Sequence, residues 1–280
     1  MDKLIFFEVY YLYLILRRKI ILLSFFPQLV AGPIERSGRL LPQFKEHRVI
    51  RYADLADGFK QVVWGFFKKV VIADRLALFV NHVYSQPEAT PGIPLIIATF
   101  FFAIQIYCDF SGYSDIAIGT ARMMGYELME NFKKPYFSKS IGEFWQRWHI
   151  SLSTWFRDYV YIPLGGNRVS KFRWITNTLI TFTISGFWHG ANWTFIFWGL
   201  FHSILFLPTF MFNKNRNYTS SIIAANTLLP SLKEFINVVT TFLLVTIGWV
   251  FFRSESIGDS FSYLTSMISN INIVTHLYPK

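Results

Sequence analysis

The sequence has little of what stabilises soluble or secreted domains: it contains one cysteine, and only 16% of its 280 residues are charged. A single cysteine excludes an internal disulfide framework and a zinc site built from several cysteines. Cys108 follows Ile106 and Tyr107, and these apolar neighbours favour a packed side chain over a nucleophile. Soluble domains carry roughly a quarter charged residues, so the deficit predicts that lipid surrounds much of the chain.

The positive charge is distributed in a way that favours a membrane over nucleic acid. The net charge is +10, and the basic residues lie near the ends of apolar runs, as at 17–19, at 68–69 and at Arg173. Such placement is typical of anchoring at anionic lipid head groups. A basic stripe on a soluble fold is missing. We therefore expect the lipid bilayer as a partner and no nucleic acid.

Long uncharged stretches supply the membrane spans. A spanning helix needs about 20 apolar residues, and the stretches 89–108, 174–213 and 235–252 meet this length or nearly do. The middle stretch is long enough for two passes with a break at 186–192. Shorter apolar segments lie at 4–16 and 20–34, and 213–221 reads as a polar loop. The sequence thus predicts an all-α polytopic membrane protein forming one unit over residues 1–280.

Two further segments have the pattern of amphipathic helices. Residues 54–80 combine a broad apolar side with several basic residues, which suits an interfacial helix. Residues 141–159 carry Trp145, Trp148 and Trp155 at spacings that place them on one helical face. A Pro-Leu-Gly-Gly-Asn stretch at 163–167 ends this second helix.

Polar groups at membrane depth are functional candidates because hydrocarbon offers them no partners. His149 lies in the aromatic-rich segment 144–158, and His189 lies within the uncharged stretch 174–213. Each histidine could instead be structural, as part of an interfacial anchor or as a donor to a backbone carbonyl. Asp109 and Asp115 could hold a cation, pair with arginines or cap a helix, and structural pairing is the favoured reading.

Known local motifs do not decide the chemistry. The sequence around Ser111 is not a Gly-x-Ser-x-Gly elbow, and Gly165-Gly166-Asn167 lacks the Lys-Ser/Thr of a phosphate loop. The histidines do not form a His-Glu-x-x-His pattern, so the sequence predicts no metal site. From the residues alone, an enzyme and a transporter both stay open.

Several longer motifs resemble those of the membrane-bound O-acyltransferase family, in its alginate O-acetylase and polysaccharide O-acetylation branch. The similar stretches follow in order from about residue 24 to 268. They are 24–36, 58–76, 109–119, 135–168, Ser185-Gly186-Phe187-Trp188-His189-Gly190 and Ile247-Gly248-Trp249-Val250-Phe251-Phe252-Arg253.

The resemblance implies a ring of transmembrane and re-entrant helices around a central catalytic funnel. It makes His189 the catalytic histidine and His149 the second polar position of the site. Substrate-binding roles are then expected for Arg147, Trp148, Trp188 and Asn192. Asp109, Asp115 and Asp158 are expected to be structural.

The resemblance also implies the reaction. An acetyl group would pass from a cytoplasmic thioester donor such as acetyl-CoA, with no bound cofactor, to hydroxyls of an exported polysaccharide such as alginate or peptidoglycan. Transfer would be direct or through a periplasmic or extracellular acetyltransferase partner, in the bacterial cytoplasmic (inner) membrane. A hydroxyl needs a base to attack a thioester, and imidazole, with its pKa near 6.5, can accept and return that proton. Burial in an apolar funnel would favour the neutral, basic imidazole.

Other readings remain open. Branch members usually have several spans before the Phe-Phe-Pro-Gln motif and continue after the last one, so we expect this domain to be incomplete. An inactive fragment is then one alternative. The others are a D-alanyl transferase acting on teichoic acid and a non-catalytic membrane transporter or scaffold.

Overall fold

The computed structural model describes residues 20–29, 32–212 and 229–270, apart from the side chains of 209–212. Over these residues the chain is helical and has no strand, which confirms the all-α prediction. The predicted apolar segment 4–16 and polar loop 213–221 lie outside the described residues. The helices are α1 Ser37–Gln43, α2 Tyr52–Phe66, α3 Asp74–Tyr84, α4 Gly92–Met123, α5 Ile141–Arg147, α6 Ile150–Phe156, α7 Lys171–His189, α8 Trp193–Phe212, α9 Leu232–Arg253 and α10 Ile257–Ser269.

Two described helices, α4 and α9, are long and apolar enough to cross a membrane, and α8 carries a shorter apolar stretch over Trp193–Pro208. Helix α9 covers the stretch 235–252, and its length and apolar composition fit the predicted span. It begins with a capping box in which Ser231 accepts from the Glu234 N–H and Glu234 accepts from the Ser231 N–H. The ring of helices around a funnel stays a prediction.

Helix α4 covers most of the span predicted at 89–108, with a composition that fits it, but the helix is longer than expected. It runs for 32 residues, through the polar patch 107–115 and on to Met123. Asp115 therefore lies inside a helix and caps none. The sequence predicts that the span ends before Asp109, because carboxylates are costly in a span. In the structure, the partners of Asp109 and Asp115 come from a distant segment of the chain.

The described residues form two compact units. In the first, which includes chain up to Val71 and Cys108–Asn131, α2 and α4 approach closely at two glycines. A Cβ on Gly65 would lie 2.6 Å from the carbonyl oxygen of Gly112, so a larger residue does not fit. The predicted helix at 54–80 is confirmed as α2 and α3 joined by a π-helical turn over Phe67–Ala73.

The close approach in the first unit allows the acids of α4 to reach two lysines. Lys68 Nζ lies 2.5 Å from Asp115 Oδ2 and donates to Ser111 Oγ at 2.9 Å. Lys69 Nζ lies 2.6 Å from Asp109 Oδ1. The favoured structural pairing is thus confirmed, but the partners are lysines rather than arginines.

The second unit, Ile72–Tyr107 with the chain from Phe132 onward, contains the antiparallel pair α7 and α8. Helix α7 ends at His189 and α8 begins at Trp193, which confirms the break predicted at 186–192. A Cβ on Gly186 would overlap the carbonyl oxygen of Phe195, so glycine is required where the two helices meet.

The segment 141–159 is not the single helix that its tryptophan spacing predicts. Helix α5 ends at Arg147, Trp148 is extended, and His149 adopts a left-handed backbone with φ 44° before α6 begins. The tryptophans are divided accordingly: Trp148 is buried among other aromatic rings, whereas Trp155 is partly exposed. Packing of Trp148 into the core outweighs the local helical pattern.

Candidate active site

His189 lies at the carboxyl end of α7, half-buried among aromatic rings. Its ring is 5.2 Å from the ring of Trp198 on α8, at an interplanar angle of 89°, and 5.2 Å from Phe252 on α9, at 80°. Both contacts are perpendicular, the geometry in which the edge of one ring meets the face of another. Three helices therefore fix the position of this imidazole.

His149 approaches the same place from the break between α5 and α6. It is 5% exposed, and its ring lies 6.3 Å from that of Trp188. The ring of Trp188 is in turn 5.0 Å from that of His189. Two histidines 40 residues apart in the sequence thus lie next to the same indole. The structure brings together three of the six candidate residues.

The other three candidates have different surroundings. Arg147 NH2 lies 2.5 Å from Glu143 Oε1 within α5. Trp148 is 4% exposed and packs against Trp249 at 4.9 Å. Asn192 accepts a bond from the Thr194 N–H and donates to the Glu255 carbonyl at 2.8 Å, so it fixes the start of α8. Their roles in substrate binding stay predictions.

A cavity of about 460 Å³ lies between α5, α6 and α7. Its wall combines aromatic rings with hydroxyl, amide and guanidinium groups, including Trp145, Gln146, Ser153, Arg157, Thr181 and Ser185. Ser185 lies one helical turn before His189, so the cavity ends close to the histidine pair without being lined by it. A volume of this order is that of a small-molecule site.

Sequence reasoning missed this cavity and a third histidine, His202, which is fully buried in the second unit. Its ring packs perpendicular to Trp145 and close to perpendicular to Trp198, each at 5.1 Å. The signal was present but weak, because Trp198 and His202 are four residues apart on α8. Nothing local distinguishes this histidine from a packed core residue.

Comparison with known proteins decides the family. The model of the membrane-bound O-acyltransferase family matches residues 22–226, and this range includes both histidines of the pair. The chain belongs to the membrane-bound O-acyltransferase family. The resemblance seen in the motifs is therefore confirmed, and the apolar helices α4 and α9 are those of an integral membrane protein.

Sequence comparison finds curated relatives with several acceptors, including the following three. The chain is 45% identical to a probable alginate O-acetylase, AlgI, of Pseudomonas aeruginosa, over 88% of this chain and 45% of that protein. It is 38% identical to a peptidoglycan O-acetyltransferase of Helicobacter pylori, over 88% and 45%. It is 32% identical to a teichoic acid D-alanyltransferase of Bacillus subtilis, over 86% and 62%. The chain spans about half the length of the O-acetylases it matches.

The chemistry that the histidine pair offers is that of its imidazoles. Within the described ranges, His, Cys, Asp and Glu side chains form no group of three that could hold a metal ion. His149 and His189 lie among aromatic rings, and an imidazole can both accept and return a proton.

Proposed function

We propose that the protein is an O-acyltransferase that moves an acetyl group from a cytoplasmic thioester, such as acetyl-CoA, towards hydroxyls of an exported polysaccharide. The observation that carries the proposal is the pair His149 and His189, both next to the ring of Trp188 and close to the cavity. The similarity to O-acetylases of alginate and peptidoglycan supports the choice of acyl group and acceptor class.

In the proposed reaction His189 is the general base. Its neutral imidazole takes the proton from the acceptor hydroxyl as the oxygen attacks the thioester carbonyl carbon. The tetrahedral intermediate then collapses: the carbon–sulfur bond breaks, and the imidazolium returns the proton to the leaving thiolate. The products are an acetyl ester and a free thiol, and His189 is neutral again.

His149 has a supporting role in this proposal. Its left-handed backbone places the ring at the start of α6, next to Trp188, and its burial limits the positions that the ring can take. A ring N–H there can orient the acyl donor or donate to the developing oxyanion. Arg147, Trp148, Trp188 and Asn192 are proposed to line the approach of the substrates.

The cavity between α5, α6 and α7 is proposed to receive a substrate. Hydroxyl and amide groups such as Gln146, Ser153 and Thr181 can hydrogen-bond to polar substrate atoms, and Trp145 offers an apolar wall. We place the reaction in the bacterial cytoplasmic membrane, with the donor entering from the cytoplasm. The acceptor would be the polymer itself or a periplasmic or extracellular acetyltransferase partner.

Transfer of radiolabelled acetyl from acetyl-CoA, in membranes containing the protein, tests the proposal. We expect His189→Ala to lower the rate about 10³-fold, the range that general bases contribute. His82→Ala is the matched control, because His82 is exposed in the last turn of α3. Equal rates for wild type and His189→Ala, at equal amounts of inserted protein, would overturn the assignment.

The similarity to a teichoic acid D-alanyltransferase favours one second candidate, D-alanyl transfer. Both reactions use a thioester and a hydroxyl, so the histidine pair serves either. The two are separated by offering acetyl-CoA and a D-alanyl carrier-protein thioester to the same membranes. Adjacent genes for a carrier protein and its ligase would favour D-alanine, whereas a gene for an esterase-like acetyltransferase would favour acetyl.

A further inference from the structure

Helix α8 carries an unusual polar stripe on its buried face. Thr194, Trp198 and His202 follow one another at four-residue intervals, so they stack about 6 Å apart along the helix. Each is at most 1% exposed. The hydroxyl of Thr194, the indole nitrogen of Trp198 and both ring nitrogens of His202 make no hydrogen bond to any described residue.

Trp145 of α5 adds a fourth such group. Its indole nitrogen is also buried without a hydrogen-bond partner among the described residues. The ring of Trp145 lies 5.6 Å from that of Trp198, and both lie 5.1 Å from that of His202. We call Trp145, Trp198 and His202 the ring cluster. The centres of three rings from two helices thus lie within 5.6 Å of one another.

Without any hydrogen-bond partner, the polar atoms of the ring cluster would reduce stability. A buried polar group without a partner costs about 1–3 kcal/mol, and a phenylalanine or leucine at these places would avoid that cost. The ring of His202 is tightly held, since a Cβ on Gly248 of α9 would lie 2.8 Å from its Nε2. A group that is costly and rigid, and that lies near the reacting residues, points to a role in function.

The chemistry of the three rings indicates what joins them. An indole N–H can only donate, so Trp145 and Trp198 cannot bond to each other. Neutral imidazole offers one acceptor and one donor. A water molecule accepts two bonds and donates two, so water can link both indoles to His202. Buried water with several polar partners is a regular part of protein interiors.

The ring cluster also reaches the catalytic histidine. Trp198 is the ring that packs perpendicular to His189 at 5.2 Å. We propose that His202 and Trp145, through hydrogen bonds to internal water, hold the indole of Trp198 and thereby position the imidazole of His189. His202 is a positioning residue in this scheme, which rests on the proposed acyl transfer for its catalytic consequence.

His202→Phe tests the proposal, because it keeps a ring and removes both nitrogens. We expect kcat for acetyl transfer to fall about 10- to 100-fold with KM within about 2-fold of wild type, since misplacement of a catalytic group mainly affects the chemical step. The unfolding temperature should stay near that of wild type, because an apolar ring of similar shape replaces the imidazole. His202→Gln, which keeps a donor and an acceptor, should restore part of kcat.

A second readout does not depend on activity. We expect diethyl pyrocarbonate to modify His189 several-fold faster in His202→Phe than in wild type, as measured by peptide mass spectrometry. Phe201→Leu is the matched control: Phe201 touches His202 and Phe251, and its loss should leave the modification rate unchanged.

The outcomes separate the two proposals. Wild-type kcat or an unchanged modification rate in His202→Phe would overturn the positioning role. If His189→Ala loses transfer in the same assay, the proposed function stands in that case. If wild type and His189→Ala transfer acetyl equally, the proposed function fails, and the modification rate alone decides whether His202 positions His189.

Discussion

Two buried polar clusters, one in each unit, differ in whether their polar atoms have hydrogen-bond partners. In the first unit, the described polar atoms around Lys68 and Asp115 all have partners: lysine meets carboxylate and hydroxyl, and Gln61 donates to the same carboxylate at 3.0 Å. In the second unit, the nitrogens of the ring cluster have none among the described residues. Charge explains part of the difference, because an unpaired ion is far more costly to bury than a neutral ring.

The contrast separates structure from function. A fully paired network stabilises helix contacts and leaves no group available for a substrate. The neutral rings beside the histidine pair have nitrogens that bond to no described residue, so these nitrogens can bind internal water. The lysine–aspartate network therefore stabilises the fold, and the histidine region is the place of the proposed reaction.

Breaking the paired network should have the largest effect on stability. Lys68→Met leaves the carboxylate of Asp115 largely buried without its cation, and we expect a loss of about 3 kcal/mol. Thermal unfolding in detergent measures it. Lys69→Met is the control: its pair with Asp109 is about half exposed and should contribute at most about 1 kcal/mol. Equal losses in the two variants would contradict the distinction.

Removing the second histidine should affect activity rather than stability. His149→Asn keeps a residue that tolerates the left-handed backbone and removes the imidazole. We expect a loss of about 10- to 100-fold in acetyl transfer, less than for His189→Ala. The unfolding temperature should stay near that of wild type. A variant with unchanged transfer would place His149 with the structural residues.

Packing between α7 and α8 should support the histidine region. Gly186→Ala forces a methyl group against the carbonyl oxygen of Phe195, and we expect a loss of about 1–3 kcal/mol together with reduced transfer. Gly38→Ala in α1 is the control, since a Cβ there has no atom within 4 Å. That change should be neutral or stabilising. Unchanged stability in Gly186→Ala would disprove the close contact.

The smallest effect concerns a carboxyl group of the first unit. Burial raises the pKa of Glu35 above 4.5, and this is opposed by bonds from the Met129 N–H and by Arg39. Because the folded pKa is raised, the contribution of this group to stability is greatest below pH 4.5 and is lost as pH rises through the folded value. We expect this contribution of Glu35 to the free energy of unfolding to be less than about 1 kcal/mol.

Unfolding temperatures at pH 4.5 and pH 7 test this sign. In Glu35→Gln, the decrease in unfolding temperature from pH 4.5 to pH 7 should be smaller than in wild type. Glu46→Gln is the control: this side chain is exposed, so the decrease in unfolding temperature between the two pH values should be the same as in wild type. An identical pH dependence in Glu35→Gln and wild type would mean that Glu35 is not buried in the folded protein.

Sequence reasoning succeeded where one segment contains its own signal. The span at 235–252 and the break at 186–192 follow from hydropathy and from glycine. It failed where a distant partner decides. Helix α4 continues past Asp109 because lysines 40 or more residues away pair with its acids. The break at His149 depends on a left-handed backbone at a residue other than glycine, so the sequence gives no local signal for it.

The site was predicted to a similar extent. The flanking motifs identified His149, Trp188 and His189, which the structure brings together. His202 escaped notice because a histidine four residues after a tryptophan on an apolar helix looks like core packing. The positioning role proposed for His202 rests on ring nitrogens without partners among the described residues, and only the arrangement of α5, α8 and α9 shows that.

One paired measurement tests the division most directly: acetyl transfer and unfolding temperature, determined together for His189→Ala and Asp115→Asn. We predict that His189→Ala loses about 10³-fold in transfer and unfolds within about 2 °C of wild type. Asp115→Asn should unfold at a clearly lower temperature and keep its transfer rate per folded molecule. The opposite pattern, with His189→Ala unstable but active and Asp115→Asn stable but inactive, would contradict the account.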